Sequence, residues 1–338
     1  MKPNVNRREL IFGGASLLAL GGAGAYTKAM RSKPVVRVTG PEISAFLPER
    51  DLEGLGHPIT EYGKIGNVKL SRLLLGGNMI GGWAHCRDMR FYDKLVKAYF
   101  TDERVFRNFR IAEACGVNTI LTNPALMRVI NRYWREDGGS IQFISDCGYR
   151  GGVIEGAKVS VENGASMVYY HGGMADRVAL VEKDWKKLRQ YLDESRKLGV
   201  PVGLGCHNLN TVKFCVEHDC LPDFWMKTVH RIDYPTAHLS EDKGKKSAIG
   251  LGACDNRFVD CDRQETFDYM ATRPEPWIAF KVLGAGIEHP RDAFPISYKG
   301  GADFICCGMY DYQVVEDVNI ANAYFEKGLP ERKRPWHG

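Results

Sequence analysis

The chain has 338 residues, of which 44% are hydrophobic and 26% are charged. This composition is typical of a globular protein with a large core and excludes a disordered chain. The formal net charge of +5 is too small to indicate a nucleic-acid-binding protein. The ten cysteines include no C-x-x-C pair, which argues against a zinc ribbon or an iron–sulfur cluster.

The first 25 residues have the pattern of an export signal. Arg7 and Arg8 precede an apolar run rich in Gly and Ala, at 11–25, which ends in an A-x-A-like site. The pattern predicts a Tat signal peptide over 1–25, with the Tat machinery as a partner and a periplasmic or other extracytoplasmic location. An uncleaved membrane anchor is the alternative, and membrane contact is expected only through this segment. Its removal takes away three positive charges and one negative charge, which leaves +3.

Residues 26–58 lack sustained periodicity and are interpreted as a linker or strap. The barrel domain is predicted to cover 59–338 and to begin with a hairpin at 59–72, where alternating segments flank Gly63 and Gly66. Eight short apolar runs downstream have the pattern of strands that are buried on both faces. They lie at 73–76, 119–122, 141–145, 167–170, 202–205, 224–228, 277–283 and 304–307.

Helical patterns alternate with these strands, at 102–115, 125–136, 154–163, 179–198, 210–218, 265–272, 292–298 and 314–326. Parallel neighbours require a crossover connection of this kind. Eight repeats predict an α/β fold, specifically a (β/α)8 TIM barrel with an N-terminal hairpin. A doubly wound sheet would stop at five or six strands.

In such a barrel, functional groups lie where the strands end. The residues at these positions are polar: Asn78, Asn123, Asp146, His171, His207, Lys227, Lys281, and Tyr310 with Asp311. Two long loops, 79–101 and 229–264, are predicted on the same face. The second is interpreted as a lid whose Cys254 and Cys261 could form a disulfide.

Four short segments resemble the aldo/keto reductase family. Residues 63–73 (GKIGNVKLSRL) are similar to the family's GKTGLKVSRL, and 202–208 (VGLGCHN) to its fifth strand, IGVSNHN. Residues 280–286 (FKVLGAG) resemble the seventh strand's MKPLGGG. Gly308-Met309 with 313–317 (QVVED) resembles the PG and QVxEN of the eighth unit. The resemblance implies a barrel, oxidoreductase activity and an NAD(P) cofactor across strands 5, 7 and 8.

The family's catalytic tetrad is largely missing. Its Asp and Tyr fall on Leu121 and Leu126, and its Lys falls on Asp146. Only the His is retained, as His171. Because a carboxylate raises the pKa of a neighbouring phenol where a lysine lowers it, the standard tetrad cannot operate here. Beside His171, a carboxylate would favour the imidazolium form and make an acid–base pair.

The candidate catalytic residues are therefore Asp146, His171, His207, Lys227 and Lys281. His171 and His207 follow neighbouring strands and, with a third ligand such as Asp146 or His85, would bind a divalent metal. Lys227 is interpreted either as a Schiff-base lysine or as the ion-pair partner of Asp146.

The candidate cofactor-binding residues are Asn208, Gly284, Gly286, Gly308 and Tyr310. The glycines would bring backbone N–H groups to a cofactor or substrate phosphate.

Three functions remain open: an exported aldo/keto reductase-like oxidoreductase, a non-redox lyase, isomerase or hydrolase acting on a sugar-like or carbonyl ligand, and a non-catalytic binding barrel. A small molecule is the expected ligand in each.

Overall fold

The computed structural model describes residues 58–87, 89, 91–230, 263–328 and 332–338. The predicted signal peptide, the predicted linker except Pro58, and the 231–262 part of the predicted lid, with Cys254 and Cys261, lie outside the described residues. Across the described ranges, no helix is long and apolar enough to cross a membrane.

An antiparallel hairpin of β1 (Tyr62–Ile65) and β2 (Val68–Ser71) precedes the barrel, as predicted. At its turn, Gly66 has φ = 58°, a left-handed conformation that costs glycine little. Side chains from both strands, including Ile65 and Leu70, pack against the residues that fill the barrel interior. Because β2 leads directly into the first barrel strand, the hairpin covers the end of the barrel where the strands begin.

Eight parallel strands form a closed barrel, and they are ordered around it as in the chain. Pairing of Ile305 with Leu73 and of Cys307 with Leu75 closes the ring. The strands are β3 (Leu73–Gly76), β4 (Thr119–Thr122), β5 (Gln142–Ser145), β6 (Met167–Tyr170), β7 (Val202–Cys206), β8 (Phe224–Thr228), β9 (Trp277–Phe280) and β10 (Phe304–Cys307). The predicted TIM barrel is confirmed.

The outer layer contains helices between the strands. They are α1 (Asn78–Gly81), α2 (Tyr92–Tyr99), α3 (Asp102–Ala114), α4 (Met127–Arg132), α5 (Val153–Glu162), α6 (Gly172–Asp176), α7 (Trp185–Arg196), α8 (Leu209–Glu217), α9 (Arg263–Ala271), α10 (Pro290–Lys299) and α11 (Val314–Gly328). The 79–101 segment, expected to be a loop, thus contains α2 and part of α1.

Three predicted boundaries are corrected. The helix expected at 125–136 is a 3-10 turn (Pro124–Leu126), α4 and a π-helical turn (Tyr133–Asp137). The helix expected at 179–198 is divided between a π-helical turn (Arg177–Glu182) and α7. Strand β9 ends at Phe280 instead of Leu283, because the next residue has a left-handed backbone.

Side chains of each strand alternate between two cores. In β8, Phe224 and Met226 point into the barrel interior, whereas Trp225 packs in the layer between strands and helices. Each such buried side chain stabilises the fold by ~1.5–3 kcal/mol. The same alternation decides which residues at the strand ends can enter the barrel mouth.

Candidate active site

A cavity of about 650 Å³ lies at the end of the barrel where the strands finish. Asp146, His171, His207 and Lys281 all line it. Its floor consists of inward-facing residues of the strands: Leu121, Tyr169, Met226, Phe280 and Cys306. Four of the five predicted catalytic side chains therefore meet at the face that carries the active site in barrel enzymes.

Lys227 is the fifth, and it is not among the residues that line the cavity. Alternation along β8 places it on the outer side of the barrel with Trp225. Its Nζ donates hydrogen bonds to the carbonyl oxygens of His207 (2.9 Å) and Thr228 (2.8 Å). The expectation that Lys227 enters the mouth, as a Schiff-base lysine or as the partner of Asp146, is corrected by this placement.

Asp176 orients His207, and this pair was not predicted from the sequence. Asp176 is fully buried at the end of α6, and its Oδ2 lies 2.9 Å from His207 Nδ1. The backbone N–H of His207 (3.0 Å to Oδ2) and the Thr211 hydroxyl (2.7 Å to Oδ1) donate to the same carboxylate. A Cβ at Gly172 would come within 2.8 Å of the imidazole Cε1, so glycine leaves room for the ring.

The protonation states of this pair follow from burial. Desolvation raises the pKa of Asp176 to about 6, against the hydrogen bonds from Thr211 and the His207 backbone. Desolvation also lowers the His207 pKa well below its usual value, and the charge of Lys281 lowers it further. At neutral pH, Asp176 is therefore ionised and His207 is neutral. The Asp176 carboxylate fixes the proton on Nδ1, so Nε2 is the basic nitrogen of the ring.

Asp146 is held by neutral donors, and Lys227, considered as its ion-pair partner, is not among them. Its Oδ1 accepts hydrogen bonds from Asn123 Nδ2 (2.9 Å) and from the Gly148 backbone N–H (2.8 Å). Burial raises the pKa of Asp146, and the charge of His171 opposes that rise. The electrostatic partner of Asp146 is thus the histidine that the sequence paired with it. Among the described residues, none hydrogen-bonds the buried Nδ1 of His171.

Lys281 reaches the cavity because its backbone is unusual. Strict alternation would place it on the outer side with Ala279, as for Lys227 on the neighbouring strand. Instead its φ is 57°, a strained conformation for a residue with a Cβ. Desolvation lowers the Lys281 pKa to about 8, while the charge of Asp176 raises it. Lys281 in turn lowers the pKa of His85, after desolvation, and His85 also lines the cavity.

Tyr169 is a second residue that the sequence interpretation missed. It lies on β6, two residues before His171, and strand alternation directs both toward the barrel axis. Burial, and then the charge of Asp146, raise its pKa well above the usual value. The phenol therefore stays protonated at neutral pH and lies at the cavity floor. In the sequence, Tyr169 could have been recognised as a cavity residue because it lies two residues before His171, the polar residue at the end of the strand.

The predicted phosphate cradle fits a cofactor poorly. Gly284, Gly286 and Gly308 line the cavity. However, the N–H of Gly284 donates to the Lys281 carbonyl (2.9 Å), and that of Gly286 donates to the Leu283 carbonyl (2.9 Å). Because both groups are already hydrogen-bonded within their own turn, they are not positioned to hold the phosphates of a dinucleotide.

The other two predicted cofactor residues differ in placement. Asn208 is not among the cavity-lining residues, and its Oδ1 caps α8 by accepting from the Asn210 N–H (2.8 Å). Tyr310 does line the cavity. Its ring stacks on Phe100 and Tyr312, with centroids 5.7 and 5.2 Å away, and its hydroxyl lies 3.1 Å from that of Tyr92. Tyr310 is therefore part of an aromatic rim of the cavity, and these contacts do not indicate a phosphate site.

Within the described residues, no three His, Cys, Asp or Glu side chains are grouped so as to hold a metal ion. The predicted set of His171, His207 and Asp146 or His85 shares the cavity. His207 Nδ1 is bonded to Asp176, which leaves Nε2 as its available nitrogen, but the side chains of this set are not grouped closely enough to hold a metal ion. These residues do not form the metal site that was considered as an alternative.

Comparison with known proteins establishes the fold class. Two solved structures, provisionally described as aldo-keto reductases from Pseudomonas aeruginosa, resemble this chain with TM-scores of 0.52 and 0.51. Each is 15% identical and covers 80% of this chain and 98% of its own. The likeness confirms the predicted resemblance at the level of the barrel fold. No protein-family model matches the sequence, and no curated protein matches it significantly.

Proposed function

We propose that the protein is a non-redox enzyme, an isomerase or lyase, that transfers protons next to a carbonyl group of a small, sugar-like substrate. The Asp176–His207 pair beside the cavity carries this proposal. A buried carboxylate that fixes Nδ1–H makes Nε2 a general base and stabilises the imidazolium that forms when it accepts a proton.

The other groups in the mouth have complementary roles. His207 would remove a proton from the carbon beside the carbonyl, and negative charge would then build on the carbonyl oxygen. Tyr169, whose phenol stays protonated, would donate a hydrogen bond to that oxygen. Asp146, with its raised pKa, would return a proton at the end of the reaction.

Perturbed acids and bases in one cavity support an enzyme over a binding protein. The pKa of Asp146 is raised, and those of His207 and Lys281 are lowered. Such shifts cluster in active sites because catalysis needs groups that change protonation near neutral pH. A pocket without them would have favoured the non-catalytic barrel.

The test is hydrogen exchange in D2O with a panel of small hydroxy-aldehydes and hydroxy-ketones, followed by NMR. Wild-type protein is expected to incorporate deuterium beside the carbonyl, and Asp176→Asn to exchange roughly 100-fold more slowly. Asp193→Asn, an exposed carboxylate changed in the same way, is the matched control. Absence of wild-type exchange across the panel would contradict the proposal.

A second candidate is an NAD(P)-linked carbonyl reductase. The barrel resemblance to aldo-keto reductases favours it, as does Tyr169, a phenol in the mouth where the family's own tyrosine position holds Leu126. The glycine turns described above do not offer the expected phosphate site. Titration of NADH and NADPH fluorescence with micromolar protein tests this candidate, and unchanged fluorescence for both would remove it.

The twin-arginine pattern supports the proposal that the enzyme acts outside the cytoplasm. Replacing Arg7 and Arg8 with lysine should retain the protein in the cytoplasm of an expressing bacterium. Cell fractionation with immunodetection measures the change. Equal export of both forms would argue against this route.

A further inference from the structure

We infer that Lys281 is a nucleophile that forms a covalent imine with the carbonyl group of the substrate. This inference rests on the proposed function and names the class of intermediate through which it would proceed. Its starting point is the contrast between Lys281 and Lys227, because regular alternation along two neighbouring strands would place both side chains on the outer side of the barrel, Lys227 opposite Ala279 and Lys281 two residues further on.

The backbone directs Lys281 to the cavity. Residue 281 is left-handed, and Gly284, Ala285 and Gly286 in the same turn are left-handed as well. A left-handed backbone strains a residue that has a Cβ, and such strain concentrates at functional sites. Lys227 keeps regular strand geometry and bonds to backbone carbonyls on the outer side. The strained turn is thus what separates a cavity lysine from a structural one.

The surroundings of Lys281 favour its neutral, nucleophilic form. Burial lowers its pKa to about 8, so the neutral fraction at pH 7 is roughly 300-fold larger than for an exposed lysine. Lys281, His207 and His85 all line the cavity, and the charge of Lys281 lowers the pKa of both histidines. A desolvated lysine beside a general base is the arrangement that amine nucleophiles require.

The covalent step balances with these groups alone. Neutral Nζ attacks the carbonyl carbon, and the carbonyl oxygen takes a proton from the carboxyl group of Asp146, which lines the same cavity and becomes a carboxylate. His207 Nε2 accepts the proton lost from nitrogen and, as an imidazolium held by Asp176, returns it to the departing hydroxyl. Water leaves, and a protonated imine remains. The cationic imine attracts electrons from the adjacent carbon, which makes its proton easier for a base to remove.

Reductive trapping tests the inference. Full-length protein is incubated with glycolaldehyde or with pyruvate, reduced with borohydride and mapped by mass spectrometry. A secondary amine is expected at Lys281, enriched roughly 300-fold over exposed Lys158, with Lys227 unlabelled. Labelling should rise as pH increases through about 8, and Lys281→Arg should abolish it. Equal labelling of Lys281 and Lys158, or none at Lys281, would overturn the inference.

Deuterium exchange separates this inference from the proposed function. Exchange without trapping at Lys281 leaves proton transfer in place and overturns only the imine. Trapping at Lys281 without exchange supports the imine and contradicts the proton transfer. Lys281→Met is expected to lose both trapping and exchange while melting cooperatively. Full exchange by this variant would also overturn the imine.

Discussion

The two ends of the barrel surround their buried carboxylates with different partners. At the end where strands begin, Asp303 is fully buried and forms ion pairs with Arg334 and Arg332. It also accepts the backbone N–H groups of Trp277 (2.9 Å) and His337 (2.8 Å). At the mouth, the hydrogen-bond donors to Asp146 are an amide side chain and a backbone N–H.

The contrast distinguishes stability from reactivity. Asp303, paired with guanidinium groups and backbone N–H groups, ties the surrounding segments together. A buried carboxylate held by neutral donors has a raised pKa, as Asp146 and Asp176 do, and the pKa of Asp176 rises to about 6. Both ends of this barrel bury carboxylates, and the reactive end is the one where these carboxylates accept hydrogen bonds from neutral donors instead of from arginine side chains.

Removing an arginine from the compensated end should have the largest effect on stability. Arg334→Ala leaves Asp303 short of a partner and removes bonds from Arg334 to the carbonyls of Gly301 and Glu275. The free energy of unfolding should fall by about 3–5 kcal/mol. Chemical denaturation measures it, with exposed Arg128→Ala as a control that costs less than about 0.5 kcal/mol. Loss of catalytic deuterium exchange in a folded Arg334→Ala variant would contradict the assignment of stability to this end of the barrel and of reactivity to the mouth.

The reverse result is expected at the mouth. Asp146→Asn keeps an Oδ1 that accepts from Asn123 and Gly148, so folding should change little. Exchange should fall about 100-fold because an amide cannot supply a proton as an acid does. Thermal melting is compared with the exchange rate of the same sample. A variant that loses stability yet keeps full activity would make Asp146 a structural residue.

Lys281→Met should stabilise the protein. At pH 7 the native state holds a lysine whose pKa is lowered from 10.5 to about 8, so charging it opposes folding. The gain should be ~1–3 kcal/mol, after allowance for partial exposure. It should be largest below pH 8 and shrink as the pH rises from 8 to 10.5, because removing the proton of the unfolded lysine on folding then costs less. Denaturation curves across that range measure it, and a constant difference would contradict the lowered pKa.

The smallest effect concerns Asn208. Since its side chain caps α8, Asn208→Ala should cost about 1 kcal/mol of stability. Catalytic exchange should be unchanged, because Asn208 lies outside the cavity lining. Asn208→Asp keeps a capping acceptor and is the control that should restore stability. A loss of ligand binding in Asn208→Ala, without a loss of stability, would return Asn208 to the predicted cofactor site.

The fold was predictable because its signals are local. Apolar runs of four or five residues, separated by amphipathic helices, can only be strands of a parallel sheet, and the number eight closes the barrel. Boundaries were less accurate where backbone conformation changes without a change in hydrophobicity. The apolar run 277–283 continues past Phe280, although the strand ends there at a left-handed lysine.

The site was predictable where strand alternation continues past the strand. Asp146, His171 and His207 each follow a residue that faces the helices, so all three face the barrel axis. Lys227 follows the same alternation to the outer side, whereas the cavity position of Lys281 depends on a φ angle that the sequence does not specify. The Asp176–His207 contact joins positions 31 residues apart, and only the packing of α6 against β7 brings them together.

The hairpin at the end where the strands begin determines how a solute can reach the cavity. Ile65, Val68 and Leu70 fill the barrel axis below the interior side chains of the strands, so a solute cannot pass through the described barrel from end to end. In the proposed enzyme, substrate must enter and product must leave through the same opening, the mouth of the barrel. Product still in the mouth blocks the next reactant, and inhibition by product should therefore be competitive.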